Sequence, residues 1–160
     1  MERVDRIIRN ETFIWNMKKL LRLEQERIYC RHDMDHLLSV ARIAYIKALE
    51  ERIPVSKELI YAAALLHDIG RAAQYETGIP HDRAGVGIAE EILRDCGFTG
   101  DEQAEILSAI SSHRSKDVAG ESLLGTLIYD ADKKSRACFM CKAQASCNWP
   151  MEKKNYNIKR

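Results

Sequence analysis

The residues of this chain that can do chemistry stand at the ends of apolar runs. The stretch "AAALLHDIG" leads straight into His67 and Asp68. His36 falls on one helical face with Val40 and Ala44, and "LLGTLIYDADKK" runs into Asp130 and Asp132. An imidazole or carboxylate aimed at an apolar interior is costly unless it is paired, hydrogen-bonded or coordinating a cation. Three segments thus each carry such a group toward one core. Imidazole nitrogen with carboxylate oxygen suits divalent Mn, Fe, Ni, Zn or Mg, and facing helices of a bundle are a common place for such sites. Four protein ligands on an octahedral ion leave positions for water and a phosphate oxygen, and the ion lowers the pKa of that water.

The elements that must position these groups all read as helices. The 160 residues suffice for one core, and 46% apolar with 31% charged residues excludes a disordered or fibrous chain. Helical periodicity predicts helices at about 3–29 (with a break near Asn10 or Glu11), 33–51, 57–74, 82–96, 101–113 and 121–135. Pro54, Pro80 and Pro150 fall at boundaries. The third helix, with "LIYAAALL", is apolar nearly all round and belongs at the centre of a bundle. No segment alternates as a strand would. The expected architecture is all-α, a compact bundle of five to seven helices over residues 1–136, with a separate basic, Cys-containing segment at 137–160. No apolar run approaches the ~18 residues that cross a bilayer. The N-terminus "MERVDRIIRNETF" is too charged for a signal peptide, and five Cys is an odd count for a disulfide framework, so a cytoplasmic chain without membrane contact is expected.

"MDHLLSVARIA", "AALLHDIGR" and "LIYDADKKSR" resemble the three signatures of the HD-domain metal-dependent phosphohydrolases, over about residues 30–136. The resemblance implies His36, the His67–Asp68 doublet and Asp132 as ligands of a divalent ion. Asp130 is the rival for the last place, and Ala131-Asp132-Lys133 matches the family pattern better. "GIPHDRAGVGIAEEIL" and "ILSAISSHRSKD" resemble the subset with extra His ligands, which includes bacterial dinucleoside tetraphosphate hydrolases. That adds His81 and His113, with Asp68 as the catalytic carboxylate bridging two ions. The implied cofactor is one or two divalent ions (Fe, Mn, Ni, Co or Mg). The implied activity is cleavage of a phosphate ester or anhydride of a nucleotide or dinucleotide by a metal-activated water.

Arg71, Arg83, Arg114 and Lys133 flank these positions and suit substrate phosphates. His32, a turn before His36, reads as a surface residue at a helix start. The near-neutral total charge hides a split: from Lys133 onward eight Lys/Arg face only Glu152, a net +7, which leaves −6 on residues 1–132. This tail points first to an anionic small-molecule substrate. Trp149 and Tyr156 among its lysines support a second reading, a regulatory or nucleic-acid-binding module with a structural metal. Cys138, Cys141 and Cys147 form a C-x2-C-x5-C pattern compatible with a structural metal or cluster, whose fourth ligand, Cys30 or Cys96, only the fold could supply.

Overall fold

A computed structural model describes residues 1–158, so Lys159 and Arg160 of the basic tail lie outside the described residues. Every regular segment among those described is helical: α1 (Glu2–Ile7), α2 (Glu11–Leu23), α3 (Met34–Glu50), α4 (Lys57–Leu66), α5 (Arg71–Thr77), α6 (His81–Asp95), α7 (Gly100–Ser112), α8 (Lys116–Ala119) and α9 (Leu123–Lys134). Two short 3-10 turns follow, Cys138–Met140 and Met151–Lys153. The starts are set locally. Asn10, Asp33, Ser56 and Ser122 each accept a hydrogen bond from the backbone N–H three residues on. Thr99 and Glu102 form a reciprocal capping box at α7.

Helix α4 is the centre of the bundle. Ile60, Ala62, Ala63, Ala64, Leu65 and Leu66 are at most 1% exposed, because α1, α3, α7 and α9 pack around it. Val40, Ala41 and Ala44 of α3, Ile106 and Ile110 of α7, and Leu124, Leu127 and Ile128 of α9 complete the core. The all-round apolar pattern of the third expected helix therefore has the central burial it implies.

Two expected helices are shorter than their periodicity suggests. The first stops at Leu23 rather than Tyr29, because Glu24 turns its carboxylate inward to the backbone N–H and ring of His32, which reorganises residues 24–33 into a loop. The third breaks between α4 and α5, so that His67 and Asp68 stand in the turn. At Gly70 the chain lies hard against α6: a Cβ there would sit 2.2 Å from the His81 carbonyl oxygen and 2.4 Å from the Gly85 nitrogen. A continuous helix cannot make that approach and still pack.

Candidate metal centre

The structure brings His36, His67, Asp68, His81, His113 and Asp132 together. All six are buried, between 0% and 7% exposed. Their donor atoms fall into two groups within 4.8 Å, His36–His67–Asp132 and Asp68–His81–His113. Asp68 faces both. Its Oδ2 lies 3.2 Å from His67 Nε2 and 3.5 Å from His36 Nε2; its Oδ1 lies 3.2 Å from His81 Nε2 and 3.7 Å from His113 Nε2. Asp132 Oδ1 completes the first group at 3.4 Å from His36 and 3.8 Å from His67. Asp130, a turn-neighbour of Asp132, is instead paired with Lys47 of α3 and stands apart from both groups.

Helix ends set the ring orientations. His67 Nδ1 lies 2.7 Å from the Ala64 carbonyl and His113 Nδ1 lies 2.6 Å from that of Ile110, each at the exposed-carbonyl end of its helix. Gln74 Oε1 accepts from both the backbone N–H and Nδ1 of His81. A ring whose Nδ1 donates to a carbonyl presents a bare lone pair at Nε2. His81 and His113 therefore aim two lone pairs at each other across 3.0 Å, where neither can donate. His67 Nε2 and Asp68 Oδ2 are buried with no hydrogen-bond partner at all. Buried polar atoms are almost always satisfied, and a cation between these donors satisfies all four. The residues present fit metal ions at both groups.

The electrostatics agree. Burial alone would drive His67 toward neutrality, yet the carboxylates of Asp68 and Asp132 raise it to about 9. Burial likewise opposes ionisation of those two carboxyls. His67 and Arg71 nevertheless hold Asp68, and His36 and His67 hold Asp132, well below the usual carboxylate range. Both carboxylates therefore stay ionised at neutral pH, the form in which a carboxylate binds a cation.

Asp132 of the first group and His81 and His113 of the second line a cavity of about 680 Å³. Of the basic residues read from the sequence, Arg71, Arg114 and Lys133 line it. Arg71 Nε donates to Asp68 Oδ1 at 2.8 Å, Arg114 pairs with Asp82 at 3.0 Å, and Lys133 pairs with Asp132. Arg83 is exposed on α6 and does not line the cavity. Gln74, Arg27 and Arg136 of the helical body line it as well, and Lys153, Lys154 and Trp149 of the tail close it. Trp149 and the tail lysines stood out in sequence as part of the basic tail; Gln74, Arg27 and Arg136 did not, since a lone Gln or Arg carries no spacing signal. His32 is not a surface residue. It is 3% exposed on the cavity wall, with Nδ1 2.6 Å from Glu24 Oε1, and burial pushes it down to about 4. An imidazole at a helix start looks solvated until the carboxylate eight residues earlier is seen to fold onto it.

Residues 33–137 match the HD domain family. An uncharacterized protein of Clostridium beijerinckii is 40% identical over 99% of both chains. Ribonuclease Y of Acetivibrio thermocellus is 32% identical over 76% of this chain, and that of Desulforudis audaxviator 33% over the same share; the match spans only 21% of either ribonuclease. A crystal structure described as a predicted HD superfamily hydrolase, from an uncultured Thermotogales bacterium, superposes with a TM-score of 0.67 at 26% identity, covering 90% of this chain and 79% of that one.

Proposed function

The chain belongs to the HD domain family of metal-dependent phosphohydrolases, and from that premise we propose that its substrate is a nucleotide or dinucleotide, cleaved at a phosphate ester or anhydride. The observation that carries this reading is the cavity. Its volume, about 680 Å³, suits a small organic ligand rather than a bare ion. His81, His113 and Asp132 line it together with Arg71, Arg114, Lys133 and Arg136, and the Trp149 indole lines it too.

His36, His67, Asp68 and Asp132 would hold one divalent ion, and Asp68, His81 and His113 would hold a second. Such ions, when bound, lower the pKa of water and offset charge on a phosphoryl group. The protein's own residues do the rest. The Ala64 and Ile110 carbonyls and Gln74 lock the rings of His67, His113 and His81 with Nε2 inward. Arg71 pins Asp68 through Oδ1 and stays at the cavity wall. Arg114, Lys133 and Arg136 face the space where phosphate oxygens arrive, and their charge counters that of the substrate. Trp149 offers a face on which a nucleobase stacks. The tail walls the same cavity and limits water around the reacting phosphate.

A second reading has its own support: the ribonuclease Y relatives favour a phosphodiester of RNA. The tail then restricts the substrate to a chain end or a short oligonucleotide. One screen separates these readings. Mononucleotides, dinucleoside polyphosphates and short RNA are offered with Mn, Fe, Ni, Co and Mg in turn, alongside metal analysis of wild type and Asp68→Ala. Turnover of nucleotides or dinucleotides that vanishes in Asp68→Ala with the bound divalent ion is expected. Turnover of RNA alone supports the second reading. RNA binding without turnover under any metal returns the chain to a regulatory module with a structural metal.

A further inference from the structure

The tail is poorly equipped to hold its own shape. Beyond α9 the only regular structure among its described residues is two three-residue turns, and Phe139, Met140, Met151 and Ile158 are between 45% and 89% exposed. A segment this short with so little apolar burial needs a staple. Three of its residues are cysteines, and none of the five cysteines of the chain is in a disulfide.

We propose that Cys30, Cys138, Cys141 and Cys147 bind a [4Fe–4S] cluster that fastens the tail onto the helical body in the wall of the hydrolase cavity. Cys30 is the residue that sequence spacing cannot select. It sits in the loop after α2, 108 positions before Cys138, yet all four residues line one cavity, whereas Cys96 is buried in the hydrophobic core. Burial raises the Cys30 thiol; of its charged neighbours Arg136 pulls it down, and the Cys141, Cys138 and Cys147 thiols push it up, which places all three within electrostatic reach of it.

The sulfur spacing favours the cluster over a single zinc ion. Tetrahedral zinc with Zn–S bonds of about 2.3 Å needs its sulfurs about 3.8 Å apart. No three of these sulfurs lie within 4.8 Å of one another. A four-iron cubane is a larger body held by four Cys thiolates, and does not need its sulfurs in mutual contact.

The surroundings suit the charge that results. Binding releases four thiol protons, and four thiolates on a dicationic core form a dianion. Arg27 holds the Cys30 carbonyl through Nε at 2.8 Å, and Lys154 Nζ holds the Gln144 and Cys147 carbonyls at 3.1 and 3.3 Å. Arg136 is 8% exposed and lines the wall with Cys30 and Cys138, and its buried Nε–H has no acceptor. An N–H left without a partner beside thiolates is a donor waiting for sulfur. The +7 charge of the C-terminal segment thus has a second counter-ion besides the substrate.

The test is anaerobic purification of the full chain, followed by iron, zinc and acid-labile sulfide analysis and a visible spectrum. About four sulfides per chain with broad visible absorption are expected. Cys30→Ser must lose sulfide and absorption as completely as Cys138→Ser, while Cys96→Ala keeps both. Asp68→Ala keeps the sulfide too, so failure of the His/Asp site and failure of the cluster are told apart. Unfolding of the variants is bypassed in wild-type protein by alkylation: Cys30, Cys138, Cys141 and Cys147 should all resist modification until the cluster is stripped. Zinc without sulfide, no metal beyond the His/Asp site, or Cys30 alkylated while the other three stay protected each overturns the proposal.

Discussion

Asp68 carries more demands than any other side chain of the protein. One oxygen accepts from Arg71 and faces His81 and His113; the other faces His36 and His67 and has no hydrogen-bond partner. Gln74 serves the same centre at one remove, by holding His81 Nδ1. Gln74→Ala should therefore weaken one of two bound ions by roughly 10- to 100-fold while leaving the other in place. Equilibrium dialysis with Mn resolves the two stoichiometries, and equal weakening of both ions contradicts the two-group geometry. At the cavity wall His32 and Glu24 make acid the weak side of the fold. The unfolded chain protonates His32 near its ordinary 6.5, but the folded protein resists until about 4, so stability falls as pH drops through that window. For Glu24, burial opposes ionisation, but the hydrogen bond and charge of His32 outweigh it and hold the carboxyl at about 2, extending the loss below the ordinary 4.5. Thermal melts from pH 7 to pH 4 should fall less steeply in His32→Gln than in wild type; parallel curves would contradict this coupling.

At the scale of elements, the turn between α4 and α5 decides the site. Had α4 continued to Gln74, as its periodicity predicts, His67 and Asp68 would project from a helix side instead of standing at its end. Gly70 prevents this by its contact with the first turn of α6, the turn that carries His81. The new methyl group of Gly70→Ala meets backbone atoms on both sides, which cannot rotate away. The substitution should cost about 1–3 kcal/mol and shift His81, so that calorimetry records a lower melting temperature and dialysis a weaker second ion. Unchanged melting would mean that α5 and α6 are free to part. Gly87, with nothing near its Cβ direction, is the matched control and should tolerate alanine. Helix starts, by contrast, are set by local chemistry: Thr99 and Ser56 cap α7 and α4 with their own side chains.

At the scale of the molecule, Asn155 ties the tail to the helical body. Asn155 Nδ2 donates to the carbonyls of Lys133, Lys134 and Arg136 at 2.7, 3.3 and 2.9 Å, and its own carbonyl accepts from Phe139 N–H. It stitches the far end of the tail to the last turn of α9, next to Asp132. Asn155→Ala should leave the helical body folded but expose the tail to limited proteolysis and raise KM for a phosphate substrate several-fold with little change in kcat. A variant as resistant as wild type with the same KM would place the hold on the tail elsewhere. No helix among the described residues is long and apolar enough to cross a membrane.

The sequence by itself determined the helical bundle, the central place of α4 and the residue types that gather at its end. Apolar periodicity reports which face of a helix is buried, and an ionisable group on that face must find a partner. Only the tertiary structure decided between neighbours and across gaps. Asp130 and Asp132 end the same apolar run, but α3 offers Lys47 to one and His36 to the other. Arg83 looks as well placed as Arg114, yet the helix turns it outward and the cavity never meets it. Cys30 and the three tail cysteines share a cavity wall although over a hundred residues separate them. Chain spacing constrains which face a side chain takes within one helix. It says nothing of which distant helix or loop the packing of the whole core will bring against it.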